Sequence, residues 1–238
     1  MSTAVKTEPR AAYIYSVDNL PESDGKPMAE TPRHVLLIVE SLEQLRQHFK
    51  YDPSIYIIGN VFVYFLDQEG TLRRCAPDIF AVRGSSQEER RVWAVEHEGK
   101  APDLVIEFTS KKTKRIDTIK KKEDYAWLAV KEYFLFDPFG EYLRPRLQGF
   151  ELVEGQYRAM PSLHGRLQSR VLGLDLVAEG ERLRFFDALS GLPLRTYEEV
   201  EEARKAEEKA RWQVERELAT LKEELDRLQS GNDGNDRS

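Results

Sequence analysis

The chain has 238 residues, 40% hydrophobic and 33% charged, enough for one sizeable core or a core with an appendage. A single cysteine, Cys75, excludes an intramolecular disulfide framework and a cysteine zinc site, and no run approaches the roughly 20 apolar residues of a membrane span. The net charge of −6 argues against a generally basic nucleic-acid coat, but it is uneven: residues 196–238 hold 13 acidic and 8 basic side chains, net −5, which leaves the preceding residues at −1.

Residues 1–27 are polar and aperiodic, without the apolar segment of a signal peptide. They are expected to form a disordered arm on a soluble, cytoplasmic protein. Val35, Ile38, Val39, Leu42, Leu45 and Phe49 recur at steps of three or four, which predicts an amphipathic helix over His34–Phe49. Ile55–Leu66 reads as strand interrupted at Gly59-Asn60, Gln68-Glu69-Gly70 as a turn, and Ala76–Val82 as a short strand opening with Pro77-Asp78. Ser85–Lys100 reads as a surface connection with one strand around Val92–Val95.

The stretch Pro102–Pro138 organises the chain. An apolar run reaches the carboxylate Glu107, a basic helix-like segment follows over Lys114–Leu128, and a second apolar run covers Glu132–Phe136. Strand, helix, strand predicts a crossover with charged groups gathered at one end of a sheet. Beyond it, Leu147–Leu152 and Gln156–Met160 flank Glu154-Gly155 as a hairpin, and Val171–Val177 and Arg182–Phe186 add strands around Glu179-Gly180.

The tail differs. From Val200 to Leu228 apolar residues recur at three- and four-residue spacing, and Val214, Leu218, Leu221, Leu225 and Leu228 give the coiled-coil steps of 4, 3, 4 and 3. Thr196 with Glu199 forms a capping-box pattern at its start. The expected fold class is therefore α/β, with a mixed α+β sheet and a long C-terminal helix. The expected divisions are an arm (1–27), a core domain (28–195), a coiled-coil helix (196–229) and a disordered tail (230–238).

Asp78 and Glu107 are the best carboxylate pair. They lie on two predicted strands and can meet only if those strands are neighbours. Two carboxylates and a backbone carbonyl, such as that of Phe108, would suit a divalent ion that takes oxygen ligands and keeps water and phosphate oxygens. Two solvated strand-end acids would have the same sequence pattern. Asp103 repeats the Pro-Asp dipeptide, but on one strand it would sit about 13 Å from Glu107, too far to share one ion, and more simply starts the strand.

Asp117, Lys121 and Tyr125 are spaced four apart and share a helix face. Lys121 either points towards Glu107, where it could stabilise charge on a phosphate under attack, or pairs with Asp117 on the surface. Lys111, Lys112 and Lys114, with Arg115, Lys120 and Lys122, form a basic patch able to hold a nucleic-acid backbone. His34 and His97 could be general bases or packing residues. Walker loops, nucleophile elbows and paired metal-binding histidines are absent.

These pieces together resemble the Uma-type family of putative restriction endonucleases, a branch of the PD-(D/E)XK nuclease superfamily. The resemblance runs from about Met28 to Thr196, through Ala76-Pro77-Asp78-Ile79-Phe80, Pro102-Asp103-Leu104-Val105-Ile106-Glu107, the spaced Ser110, Thr113, Asp117, Lys121 and Tyr125, and Glu132–Pro138. It implies a restriction-endonuclease-like core with Asp78 and Glu107 as metal ligands. Thr109 stands where many superfamily members carry the catalytic lysine; the Uma-type family shares this departure, and Lys121 is the replacement it implies. Ala129 stands where the family usually has glycine.

The function so implied is a Mg2+-dependent (or Mn2+-dependent) endonuclease hydrolysing DNA. Asp78, Glu107 and Lys121 would be catalytic, Ser110 and Asp117 would support them, and Lys111, Lys112 and Lys114 would hold the DNA. The alternative is an inactive nucleic-acid-binding or scaffold protein on the same fold. Either would form a homodimer or hetero-oligomer through the C-terminal helix, with no membrane partner.

Overall fold

The computed structural model describes residues 15–23, 31–109 and 120–232. They fall into two compact units, the first ending at Leu194 and the second starting at Arg195.

The first unit opens with helix α1 (Pro32–His48). Thr31 caps it by accepting a hydrogen bond from the His34 amide at 3.3 Å, and Pro32 fits the first helical turn, where no amide partner is needed. Strands β1 (Ile55–Gly59) and β2 (Val63–Leu66) follow. The interruption expected at Gly59-Asn60 separates two strands, which lie in different sheets. Asn60 takes φ 56, a left-handed conformation that asparagine tolerates, and this turns the chain out of the first sheet.

Next come β3 (Leu72–Cys75), β4 (Ile79–Arg83), β5 (Trp93–Ala94) and the single turn α2 (Val95–Glu98). The strand predicted over Ala76–Val82 starts only at Ile79. β3 has the polar sequence Leu-Arg-Arg-Cys, an edge strand without an apolar run to announce it. Strand β6 (Leu104–Phe108), helix α3 (Lys122–Trp127) and strand β7 (Glu132–Phe136) form the expected crossover. β6 and β7 are parallel neighbours, buried throughout. Of the helix expected over Lys114–Leu128, the described part narrows to α3, and the chain leaves it through Ala129 at φ 56.

The hairpin β8 (Leu147–Val153) and β9 (Gln156–Ala159) completes a six-stranded sheet in the order β1-β4-β6-β7-β8-β9. Strands β10 (Arg166–Ser169), β11 (Leu174–Glu179) and β12 (Arg182–Asp187) form a second, antiparallel sheet. The strand expected from Val171 therefore starts at Leu174, because Gly173 at φ 70 still belongs to the preceding turn. β10 carries no apolar run, since only Leu167 and Ser169 of its four residues are buried.

The six-stranded sheet is covered on both faces. On one, Ala81, Leu104 and Ile106 pack with Leu37 and Leu45 of α1 and with Leu176 and Phe185 of the β10–β12 sheet. On the other, Phe80, Val105 and Tyr133 pack with Phe65 of β2, Trp93 of β5 and Tyr125 of α3. Each fully buried side chain of this size contributes about 1.5–3 kcal/mol. Glu132 of β7 ties the two sheets together: its buried carboxylate accepts from Ser169 Oγ at 2.5 Å and from the Arg170 and Val171 amides.

The second unit is helix α4 (Tyr197–Asn232). The capping box expected at its start forms reciprocally: Thr196 N donates to Glu199 Oε2 at 2.8 Å, and Glu199 N donates to Thr196 Oγ1 at 3.1 Å.

Candidate active site

The ladder between β4 and β6 brings the two acids together. Ile79 pairs with Ile106, so one step further places Asp78 opposite Glu107, and residues directly opposite each other in an antiparallel pair share a face. That face is the one covered by β2, β5 and α3, because Glu107 has the parity of Val105. Asp78 also accepts a hydrogen bond from the Phe108 amide at 2.7 Å. The N–H and C=O of one strand residue point to the same side, so the Phe108 carbonyl opens towards Asp78 as well.

Helix α3 and the turn before it supply the partners. Lys121 Nζ donates to Glu107 Oε2 at 2.8 Å and to the Ala76 carbonyl at 3.1 Å. Tyr125, one helical turn on, donates from its hydroxyl to Glu107 Oε1 at 2.5 Å. The shared face expected of these two residues is what lets both reach one carboxylate. Glu107 is 1% exposed and the Lys121 side chain 15%, so this is not a solvated surface pair.

Burial pushes the Glu107 carboxyl up to about 8. The Lys121 charge opposes that shift, the Asp78 charge adds to it, and the hydrogen bonds from Lys121 and Tyr125 oppose it. Burial likewise raises the Tyr125 hydroxyl well above its ordinary value, with the Glu107 charge second. Cys75, buried beside the same groups, has its thiol raised by burial. The site therefore offers two carboxylates, an ammonium and a phenol on a face that excludes most water.

The rival aspartate has a different task. Asp103 precedes β6 and pairs with Lys100 and Lys131, each at 2.8 Å, while accepting from the Arg83 amide at 2.7 Å. Burial works against its charge, but the two lysines and the amide outweigh it and hold the carboxyl below its ordinary value. His34 is buried edge-on to Phe108, on the sheet face opposite Glu107. His97 engages Tyr15, through a contact of 3.1 Å between Nε2 and the Tyr15 carbonyl oxygen.

The family pattern of Uma2, described as "Putative restriction endonuclease", matches residues 18–182. The chain belongs to the Uma2 family. The match takes in Asp78, Glu107, Lys121 and Tyr125, and leaves α4 outside. A solved structure similar to this Uma2 chain is described as a putative nuclease belonging to DUF820 from Anabaena variabilis ATCC 29413. It shares 15% identity, with a TM-score of 0.46, over 66% of this chain and 90% of that one. No curated protein matches.

Seven residues singled out in the Uma2 sequence, Ser110, Lys111, Lys112, Thr113, Lys114, Arg115 and Asp117, lie outside the described residues. Tyr125 as a partner of Glu107 was not foreseen, although its four-residue spacing from Lys121 was the available signal. Thr109, two residues after Glu107, is fully buried, and its hydroxyl has no hydrogen-bond partner among the described residues. Also among the described residues, no three His, Cys, Asp or Glu side chains gather to hold a metal ion, and no helix is long and apolar enough to cross a membrane.

Proposed function

We propose that this Uma2 chain is a divalent-metal-dependent endonuclease that hydrolyses DNA phosphodiester bonds. The observation that supports it most is the Glu107 carboxylate, buried opposite Asp78 yet held by Lys121 and Tyr125. A structural carboxylate gains nothing from such burial, since an apolar side chain in its place is usually as stable or more so.

The donor set fits a hard divalent ion. Its available groups are the carboxylates of Asp78 and Glu107 and the Phe108 carbonyl, all oxygen, beside the orphaned Thr109 hydroxyl. Two carboxylates leave room for water and phosphate oxygens, as Mg2+ or Mn2+ prefers. Such an ion, when bound, polarises a phosphate and lowers the pKa of a water. Asp78, Glu107 and the Phe108 carbonyl would hold it. Lys121, anchored by Ala76, stands ready to stabilise charge developing on a phosphate oxygen. Ser110 and Asp117 would support this arrangement, and Lys111, Lys112 and Lys114 would hold the DNA backbone. Helix α4 would bring copies of the chain together.

The test is nicking of supercoiled plasmid by the full chain in Mg2+ or Mn2+. Lys121→Ala should lose about 100-fold or more in rate while Mn2+ binding, read by calorimetry, stays near the parent level. Undiminished cleavage by Lys121→Ala, or by Glu107→Ala, defeats the assignment.

A further inference from the structure

Helix α4 carries an apolar stripe towards water. Val214, Leu218, Leu221 and Leu225 are each more than half exposed. Their steps of 4, 3 and 4 place Leu218 and Leu225 at a positions and Val214 and Leu221 at d positions of a heptad. In the same frame Arg204, Glu207 and Arg211 occupy the preceding a, d and a positions, so the apolar seam starts at Val214. Arg211 is committed within its own helix, to Glu215 at 3.0 Å.

We propose that this seam pairs with the same seam of a second copy, parallel and in register. The inference rests on the reading of α4 as an assembly helix and adds the partner and its direction. The flanking charges decide between directions. Glu217 falls at g and Lys222 at e, and among the described residues neither makes an ion pair. In a parallel pair each g residue faces the e residue five positions further along the partner helix, so Glu217 meets Lys222 twice, once on each side. An antiparallel pair sets e against e and g against g. Lys222 would then face a Glu215 already held by Arg211, and Glu217 would lose its lysine. One sequence supplies both halves of the match, which is what a two-fold self-complementary interface requires.

Direction has a consequence for the first unit, which ends at Leu194, just before the helix. A parallel pair attaches both first units at one end of the seam. An antiparallel pair centred on the same stripe would separate the two attachment points by about 70 Å, from 1.5 Å of rise per residue. Two cleavage sites attached at one end suit the two strands of a single duplex.

Variants with one added cysteine test this in the full chain. Val214→Cys and Leu225→Cys are prepared separately, mildly oxidised, and run on non-reducing gels beside sedimentation of the unmodified protein. Cys75 stays silent because it is buried and its thiol is raised. The proposal expects a covalent dimer from each variant alone. Lys222→Glu should weaken association at least tenfold, and adding Glu217→Lys to it should restore association. Cross-linking only when the two variants are mixed, with a dimer in sedimentation, overturns the parallel order but leaves the assembly helix. A monomer at micromolar concentration overturns both. Neither result touches plasmid nicking by the core.

Discussion

Glu107→Gln offers a direct measure of how far the fold works against its own carboxylate. An ordinary glutamate titrates near 4.5, and in this site burial raises it to about 8. Above the ordinary value the unfolded chain gives up the Glu107 proton while the folded chain keeps it. Folding is therefore favoured most at low pH, and that advantage is lost as pH rises from about 4.5 to about 8. At 1.36 kcal/mol per pH unit the loss is about 5 kcal/mol. The side-chain amide introduced by Glu107→Gln has no proton to lose, can still accept from Tyr125, and removes this slope.

The assay is urea unfolding with chelator present, at pH steps from 4.5 to 8.5, following total tryptophan fluorescence, to which Trp93, buried in the core, contributes the change on unfolding. Loss of the lysine pair will lower the overall stability of Glu107→Gln, so the readout is the change with pH rather than the level. Glu132 and Asp124 are also raised and Asp103 is lowered, but they contribute alike to both proteins. Parallel stability curves across this range would refute the claim that burial controls Glu107.

Two further substitutions probe the backbone around the site. Gly59→Ala would place a Cβ 2.5 Å from the Asp78 carbonyl oxygen, which cannot move without shifting Asp78; a loss of about 1–3 kcal/mol by urea unfolding, with slower plasmid nicking, is expected. Ala129→Gly should do the reverse. Ala129 holds φ 56 at the end of α3, where glycine removes left-handed strain, and the urea midpoint should rise by an amount equivalent to about 0.5–1 kcal/mol.

What could be read from residues alone divides along physical lines. The crossover around Glu107 was legible because β6 and β7, buried on both faces, are nearly unbroken apolar runs. Helix α1 was legible because its apolar period is that of a helix lying on a sheet. β3 and β10 were not, since edge strands with polar residues carry no such run. Within the site, the four-residue spacing of Lys121 and Tyr125 was visible, but their common target was not. That depended on where β6 sits beneath α3, a tertiary fact. The proximity of Asp78 and Glu107 likewise needed the β4–β6 register, which no local pattern encodes.

The bond from the Phe108 amide to Asp78 gives that aspartate two employers. β4 begins at Ile79, so the carboxylate takes the place of a ladder carbonyl for an amide in a buried strand. Removing it with alanine would strand that amide at a cost of about 1–3 kcal/mol, before any chemistry is considered. Asparagine would keep an oxygen for the amide while giving up the charge. Folding and cation attraction at position 78 can thus be separated by one atom. The fold alone therefore demands only an oxygen-bearing side chain at position 78, aspartate or asparagine, and the charge itself is needed only by the proposed cation site.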